Sequence, residues 1–328
     1  LILYSMITVV GGSGFVGSRL ISKLEKSVCD NIDTKSSKFF DSITTICDIR
    51  FFDKIFINKK TKTVILLAAE HRDDVKDISL YYSVNVDGTK NVLRKMDEVG
   101  IKNLIFTSSV AIYGLNKNSP NESSVSDPFN HYGKSKLQAE KAIINWFNKN
   151  PKDKSVTIIR PTVIFGERNR GNVYKLLRNI YNGRVFVIGN GENKKSMAYV
   201  ENVVDFICFI TKSQEGLNIY NYADKPDLSM NELVSTTRKL TNQKNKIIHI
   251  PLFISLFIGY IFDSLSFLFN KKLLISSVRI KKFAASTTFD SSKSLSIFEP
   301  KFTLNEGLKK TLKYEFNNSS RDHTLFHN

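Results

Sequence analysis

The sequence predicts a doubly wound α/β fold, a parallel sheet covered by helices and followed by a smaller C-terminal substrate-binding domain. Three observations predict it. Short β-rich runs alternate with helical patterns through the first two-thirds of the chain. Four of those runs are near-continuously apolar, as strands buried on both faces are. A glycine-rich turn joins the first run to the first helical pattern.

Residues 1–5 read as an extension outside the fold, and Met6–Val10 as the first strand. Val9-Val10-Gly11-Gly12-Ser13-Gly14-Phe15-Val16-Gly17 then opens a helix over Ser18–Lys26. Glycines at 11, 14 and 17 permit a tight turn, close approach to a pyrophosphate and close helix–strand packing. The helix N-terminus adds unpaired N–H donors and the positive end of its dipole. The second strand, Val28–Asp33, ends on Asp33, 16 residues after Gly17 and suited to hold an adenosine ribose, with Asp30 its rival. A carboxylate there favours NAD over NADP because it would repel a 2′-phosphate, although Lys35 and Lys38 lie close in sequence. After the third strand, Thr45–Cys47, Asp48 is placed either to meet the adenine amino group or to serve as a plain turn aspartate.

The fourth strand, Thr63–Leu67, leads into the charged loop Glu70-His71-Arg72-Asp73-Asp74. There His71 or Arg72 is expected to contact substrate, the alternative being an exposed loop salt bridge. Gly88–Val99 reads as a helix, with Val92, Leu93, Met96 and Val99 at helical spacing. Asn103–Thr107 is the fifth strand and ends at Ser108-Ser109; Ser155–Arg160 is the sixth. From about Phe165 the pattern loosens, and Gly166–Lys195 reads as loop and helix around a cleft. The expected division is a dinucleotide-binding domain over 1–165 with 197–224 returning to it. The substrate-binding domain takes 166–196 and 225–316, and a polar frayed tail follows from 317.

Tyr132 and Lys136 carry the chemistry. They open a helix 23 residues after Ser109 and, four apart, share one face of it. A free phenol has a pKa of about 10. An adjacent ammonium and an oxidised nicotinamide favour phenolate and bring that value toward neutrality. Tyr132 is then a general base for a carbinol hydroxyl, and Ser109 hydrogen-bonds the same oxygen.

Composition sets outer limits. The chain has 328 residues, a formal net charge of +17, 41% hydrophobic and 24% charged residues, an ordinary mix for a globular protein. The lysines are dispersed rather than run together, which favours surface composition over nucleic-acid binding, and no nucleic-acid motif is present. A basic surface would still steer a diphosphate substrate. Cys29, Cys47 and Cys208 are too few and too widely spaced for a disulfide framework or a zinc site, so no metal is expected, and they fit a reducing cytoplasm.

Taken together, VVGGSGFVGSRL, CDIRF, ILLAAEH, NVDGTKNVL, FTSSVAIYG, YGKSK, IIRPTVIFG, GNGENKKSMAYVENV and DSSKSLSIFEPKFTLNEGL resemble the extended short-chain dehydrogenase/reductase family, of NAD-dependent epimerase/dehydratase type. The resemblance spans about residues 6 to 315. It implies a Rossmann domain, hydride exchange with C4 of NAD, and Ser109, Tyr132 and Lys136 as the catalytic set. It places Asn85 as the active-site asparagine. It assigns Gly11, Gly14, Phe15, Val16, Gly17, Asp33, Asp48, Ile49, Ala68 and Pro161 to the cofactor, with Lys136 also on the nicotinamide ribose. His71, Arg72, Asn172, Lys195 and Tyr199 would face substrate. Lys195 stands where many members have an arginine for the substrate diphosphate; it keeps the charge and loses the bidentate fork. A homodimer through a four-helix bundle of 88–99 and 132–148 is also implied, with Ile143, Ile144, Trp146 and Phe147 suggestive.

Residues absent from the pattern narrow the reaction. The similar 4,6-dehydratases carry an Asp-Glu pair near the catalytic hydroxyl, and similar decarboxylases place a carboxylate at the position of Ala111. Here Val110 and Ala111 follow Ser109, and no cysteine lies nearby as in the 3,5-epimerase–reductases. Redox at a single carbinol carbon remains: a 4-epimerase acting on a nucleotide sugar such as a UDP-hexose or UDP-N-acetylhexosamine, or a one-way reductase. A 3β-hydroxysteroid or sterol dehydrogenase is the second reading, because such relatives carry an apolar helical segment in the C-terminal half. Arg168, Asn169, Arg170, Asn172 and Lys195 promise polar walls and favour the sugar.

That apolar segment is IPLFISLFIGYIFDSLSFLF, residues 250–269. It is about long enough to span a bilayer. Asp263 within it, Pro251 at its head and Ser255, Ser264 and Ser266 favour a buried or membrane-surface helix pair, and hence a peripheral contact with the inner face of the membrane.

Overall fold

A computed structural model describes residues 6–317, except 25–27, 37–39, 73–74, 116, 185, 213–214, 245–246 and 270–275. The expected extension at 1–5, the tail beyond 317, Lys38, and Asp73 and Asp74 of the charged loop lie outside the described residues.

Seven strands form the central sheet: β1 (Ile7–Val10), β2 (Cys29–Asp33), β3 (Thr44–Ile46), β4 (Thr63–Leu66), β5 (Asn103–Thr107), β6 (Ser155–Pro161) and β10 (Leu217–Tyr222). Their order is β3-β2-β1-β4-β5-β6-β10, and every pairing is parallel. The order reverses between β1 and β4, so a crevice opens at the carboxyl ends of those strands, where open α/β sheets bind ligands. Thr63–Leu66 is buried at every position, as its unbroken apolar run requires.

Helices cover both faces. Among the described residues they are α1 (Phe15–Lys23), α2 (Ser79–Tyr82), α3 (Thr89–Val99), α4 (His131–Asn148), α5 (Asn172–Tyr181), α6 (Val200–Ile210), α7 (Met230–Leu240), α8 (Leu252–Leu268), α9 (Ser277–Ala284), α10 (Ser292–Leu295) and α11 (Leu304–Leu312). On one face α3 and α4 bury Val92, Leu93, Met96, Ala139, Ile143, Trp146 and Phe147 against the sheet. On the other, α1 packs against α6 in a core that runs on to α5, α7 and α11.

One expectation changes here. The first helix begins at Phe15, inside the glycine turn, rather than at Ser18. Ile143, Trp146 and Phe147 cover the sheet, and α4 turns Lys134, Gln138, Lys141 and Asn145 to solvent. Those three side chains are spent within the chain, as some of the suggestive four must be, while Ile144 is half-buried.

The loose second half contains strands that periodicity did not announce. β7 (Val163–Phe165), β9 (Lys194–Tyr199) and β11 (Asp224–Ser229) form a three-stranded sheet, and β8 (Phe186–Ile188) pairs with β12 (Ile248–Ile250). β10 then returns to the central sheet beside β6.

Candidate active site

The glycine turn is built for close contact. Gly11 has φ +92°, and a methyl there would lie 2.5 Å from the Ala68 nitrogen; a methyl at Gly17 would lie 2.4 Å from the Gly11 carbonyl. Both glycines are thus required by the protein itself. Gly14 is different. A methyl there would meet only the Gly11 carbonyl, at 3.4 Å. Gly14 is the N-cap of α1, and the fold alone leaves room there for a methyl.

Asp33 ends β2 beside this turn, and its carboxylate accepts the Ser13 N–H at 2.9 Å. Buried Asn31 accepts the Gly12 N–H at 2.9 Å and donates to the Ser13 and Thr44 hydroxyls. Sequence reasoning passed over Asn31. A polar side chain in the middle of a buried strand was the available signal, since it must be satisfied inside. Phe15 and Val16 begin α1, and the Arg19 guanidinium lies 4.6 Å from the Phe15 ring. Ala68 follows β4, its N–H donating to Val10. Pro161 ends β6 opposite Tyr222, and Ile49 packs against Gly88. Asp48 faces Arg50, which takes both its carboxylate oxygens and, by that hydrogen bonding, lowers its pKa.

Ser109 stands at the carboxyl end of β5, capping a 3₁₀ turn over Val110–Tyr113, where its Oγ accepts the Ala111 N–H at 3.1 Å. The first turn of α4 rests on that same turn: a methyl at Gly133 would lie 2.5 Å from the Ala111 carbonyl. Asn130 caps α4 by accepting the Gly133 N–H at 2.7 Å. Cap and contact together bring the helix carrying Tyr132 and Lys136 onto the turn that carries Ser109. Tyr132 is half-buried, whereas Lys136 is buried with its Nζ 4.1 Å from the centre of the Phe106 ring. Desolvation lowers the Lys136 pKa to about 7, opposed by the charge of Glu140. The buried Ser108 hydroxyl has no hydrogen-bond partner among the described residues.

Asn85, expected as the active-site asparagine, sits between the loop after β4 and α4. It lies in a π-helical turn, Ser83–Gly88, and is buried. Its amide accepts the Glu70 N–H at 2.8 Å and donates to the Glu70 carbonyl and to the Ser135 hydroxyl, both at 2.9 Å. It clamps the loop after β4 to α4 next to Lys136.

In that loop Arg72 forks onto Glu70, with 3.0 and 2.9 Å contacts, and His71 is exposed. The salt-bridge alternative therefore describes Arg72. Tyr199 is corrected more sharply: it is buried, and its hydroxyl donates to the Glu167 carboxylate at 3.0 Å. Burial raises its pKa. Asn172 is exposed at the start of α5. Lys195 on β9 donates to the Ala285 carbonyl at 2.5 Å, and burial lowers its pKa to about 8. Arg168 and Arg170 are strapped to the C-terminal segment, Arg168 to the Tyr314 hydroxyl and Arg170 to Glu315. A buried fork of Arg160 onto Glu140, at 3.0 and 2.7 Å, joins β6 to α4 one turn beyond Lys136, and Arg160 also donates to the Tyr113 hydroxyl. Sequence reasoning missed this brace, because its partners lie far apart along the chain.

A parallel sheet in this order, a glycine turn closed by an acidic residue, and Tyr132 and Lys136 on a helix seated over Ser109 define a dinucleotide-dependent oxidoreductase-type enzyme of short-chain dehydrogenase layout. The chain belongs to the NAD dependent epimerase/dehydratase family, whose model matches residues 7–223. NAD is its cofactor. The chain is 51% identical to the N-acetyl-alpha-D-glucosaminyl-diphospho-ditrans,octacis-undecaprenol 4-epimerase of Escherichia coli O157:H7, over 98% of each chain. It is 31% identical over 210 residues to the human decarboxylating sterol-4-alpha-carboxylate 3-dehydrogenase, covering 60% of this chain and 55% of that one. In fold it is similar to a UDP-glucose 4-epimerase of Thermotoga maritima solved with UDP-glucose, with TM-score 0.74, 22% identity and coverage of 94% and 97%.

Proposed function

We propose that this enzyme is a C4 epimerase of an N-acetylhexosamine held through a diphosphate on a polyprenol carrier. The observation that carries the reading is end-to-end similarity, at 51% identity, to an epimerase whose name specifies such a substrate. The proposal also resolves a conflict within the sequence. Polar residues around the cleft argue for a sugar diphosphate, and the apolar segment over 250–269 argues for a lipid; a sugar diphosphate on a polyprenol has both parts.

The chemistry assigned to this chain's residues follows from their placement. Bound NAD supplies reversible oxidation at the sugar C4. Tyr132 takes the C4 hydroxyl proton and later returns it, and Ser109 donates a hydrogen bond to the same oxygen. Lys136 favours the phenolate by its charge. Val110 and Ala111 offer no acid or base beside Ser109, so nothing there removes a C5 proton or expels a hydroxyl, and the sugar leaves at its starting oxidation level. Lys195 is assigned to the diphosphate, a role either a nucleotide or a polyprenol diphosphate would satisfy.

The test is incubation of the purified protein and NAD, without reductant, with N-acetylglucosaminyl-diphospho-undecaprenol in detergent, then release of the sugar by mild acid. Appearance of N-acetylgalactosamine is expected. Parallel reactions with UDP-N-acetylglucosamine and UDP-glucose separate the carriers: conversion of these alone would move the assignment to nucleotide sugars, and no C4 epimer from any of the three would end it. Net NADH formation with a hydroxysterol would favour the dehydrogenase reading instead.

A further inference from the structure

Helix α8 is built inside out. Its inward stripe is small and polar. Ser255 and Gly259 are buried, a methyl at Gly259 would lie 2.9 Å from the Ser277 backbone, and Asp263 accepts the Ser277 N–H at 3.1 Å. Its outward stripe is apolar. Phe253, Phe257, Tyr260, Ile261 and Leu268 fall within about 100° of one another on a helical wheel. Phe253 is 74% exposed, Phe257 68% and Leu268 75%. A helix of a water-soluble surface shows the opposite arrangement. Among the described residues no helix is long and apolar enough to cross a membrane, so an interfacial rather than a spanning role fits these 17 residues.

In the two-stranded sheet before the helix, neighbouring Phe186 and Ile248 are also exposed. Positive charge adjoins it. Between Asp263 and Asp290 the sequence carries five basic residues and no acidic one. Of these, Arg279 and Lys281 on α9 are exposed, and the Lys281 Nζ lies 5.6 Å from the Tyr260 ring centre. An apolar stripe bordered by cations is the pattern of an interfacial helix on anionic lipid. The chain then runs from α9 directly to Ala285, whose carbonyl accepts from the Lys195 Nζ, and Thr287, whose backbone bonds to Lys194 and Ser196 on either side of it.

We propose that the outer face of α8, with Arg279 and Lys281 at its border, is a docking surface for an anionic phospholipid bilayer. It brings the strand bearing Lys195 to headgroup level, where a lipid-anchored diphosphate lies. This deepens the functional reading and rests on it for the identity of the carrier, but docking itself is measurable without substrate.

The experiment uses the full chain and flotation with vesicles of phosphatidylcholine, alone or with about a quarter phosphatidylglycerol. Wild type is expected to float with the anionic vesicles and much less with neutral ones. F253S/F257S should lower the partition coefficient by about ten-fold or more, and R279E/K281E should remove the preference for phosphatidylglycerol. Unchanged melting temperatures for both double variants show that the fold is intact, and the charge variant provides an independent reading if the first does not fold. Both should keep turnover on a short-chain, water-soluble prenyl diphosphate sugar while losing it on long-chain substrate in vesicles. Wild type remaining in the soluble fraction overturns the proposal, as does a wild-type dimer that F253S/F257S converts to monomer, for then a second copy covers the face. Vesicle binding without turnover of any sugar diphosphate upholds docking and removes the functional reading instead.

Discussion

Lys136 is under two opposing demands. Its ammonium is assigned to favour the phenolate of Tyr132, four residues before it on α4, yet it is buried over the Phe106 ring, and desolvation lowers its pKa to about 7. An unfolded lysine titrates near 10.4. Below about pH 7 both states hold the proton and the full cost of the buried ammonium is present. As pH rises from 7 toward 10.4 the folded state has already lost its proton and the unfolded state has not, so stability increases. Lys136→Met removes this titration. In cofactor-free protein its melting temperature should exceed wild type at pH 6, and the gain should shrink by at least about 1 kcal/mol by pH 9.5. Thermal melts across that range check this, and a constant difference would mean that Lys136 is not the buried charge described. The same variant should lose epimerase turnover by about 10²-fold or more. Residues of this kind were legible only in part. Tyr132, Lys136 and Ser109 stand in a recognisable order, but nothing in sequence spacing shows that Asn85 spends its amide on Glu70 and Ser135, or that Tyr199 turns its hydroxyl to Glu167.

At the scale of elements, the turn between β1 and α1 separates a structural glycine from a ligand-facing one. Gly17 admits no methyl, because the Gly11 carbonyl would be 2.4 Å away and the Gly12 Cα 2.6 Å. Gly14 admits one against the protein alone. Gly17→Ala should therefore cost about 1–3 kcal/mol of stability. Gly14→Ala should melt like wild type and weaken NAD binding by about ten-fold or more, some 1.4 kcal/mol. Calorimetry of NAD binding with parallel melts distinguishes them, and equal behaviour of the two variants would refute the assignment. Of the six strands expected along the first half, those such as Thr63–Leu66 were readable because helices bury them on both faces and they must be apolar, whereas the edge strand Thr44–Ile46 is largely exposed. β9 and β11 were not readable: KKSMAY and DKPDLS alternate poorly and are stabilised by tertiary partners such as Asp227, which accepts from the Ser196 hydroxyl and the Lys225 ammonium.

For the molecule as a whole, one buried amide ties the C-terminal segment to the sheet-covering helices. Asn202 on α6 is fully buried. Its Nδ2 donates to Asp224 at 3.0 Å and to the Phe302 carbonyl at 2.7 Å, and its Oδ1 accepts the Phe302 N–H at 3.0 Å. Phe302 leads into α11, whose Leu304, Leu308 and Leu312 fill the core beneath. Asp224 also accepts the Tyr199 N–H, and burial raises its pKa to about 6 despite these donors. Asn202→Ala leaves the Phe302 carbonyl and N–H and one Asp224 oxygen without that partner, at a cost of about 2–3 kcal/mol. The sign of the pH effect follows. A carboxyl whose folded pKa lies above its unfolded value of about 3.9 binds more protons when folded, so stability falls as pH rises from about 4 to 6. Removing a donor raises the folded pKa further, and the additional loss is felt where Asp224 is ionised. The destabilisation by Asn202→Ala should therefore be larger at pH 7 than at pH 4.5. Denaturant unfolding at the two values measures this, with Asn202→Asp as a companion that places a second carboxyl against Asp224 and should be worse still at pH 7. A pH-independent loss would show that Asn202 acts by packing alone and that Asp224 does not depend on its amide.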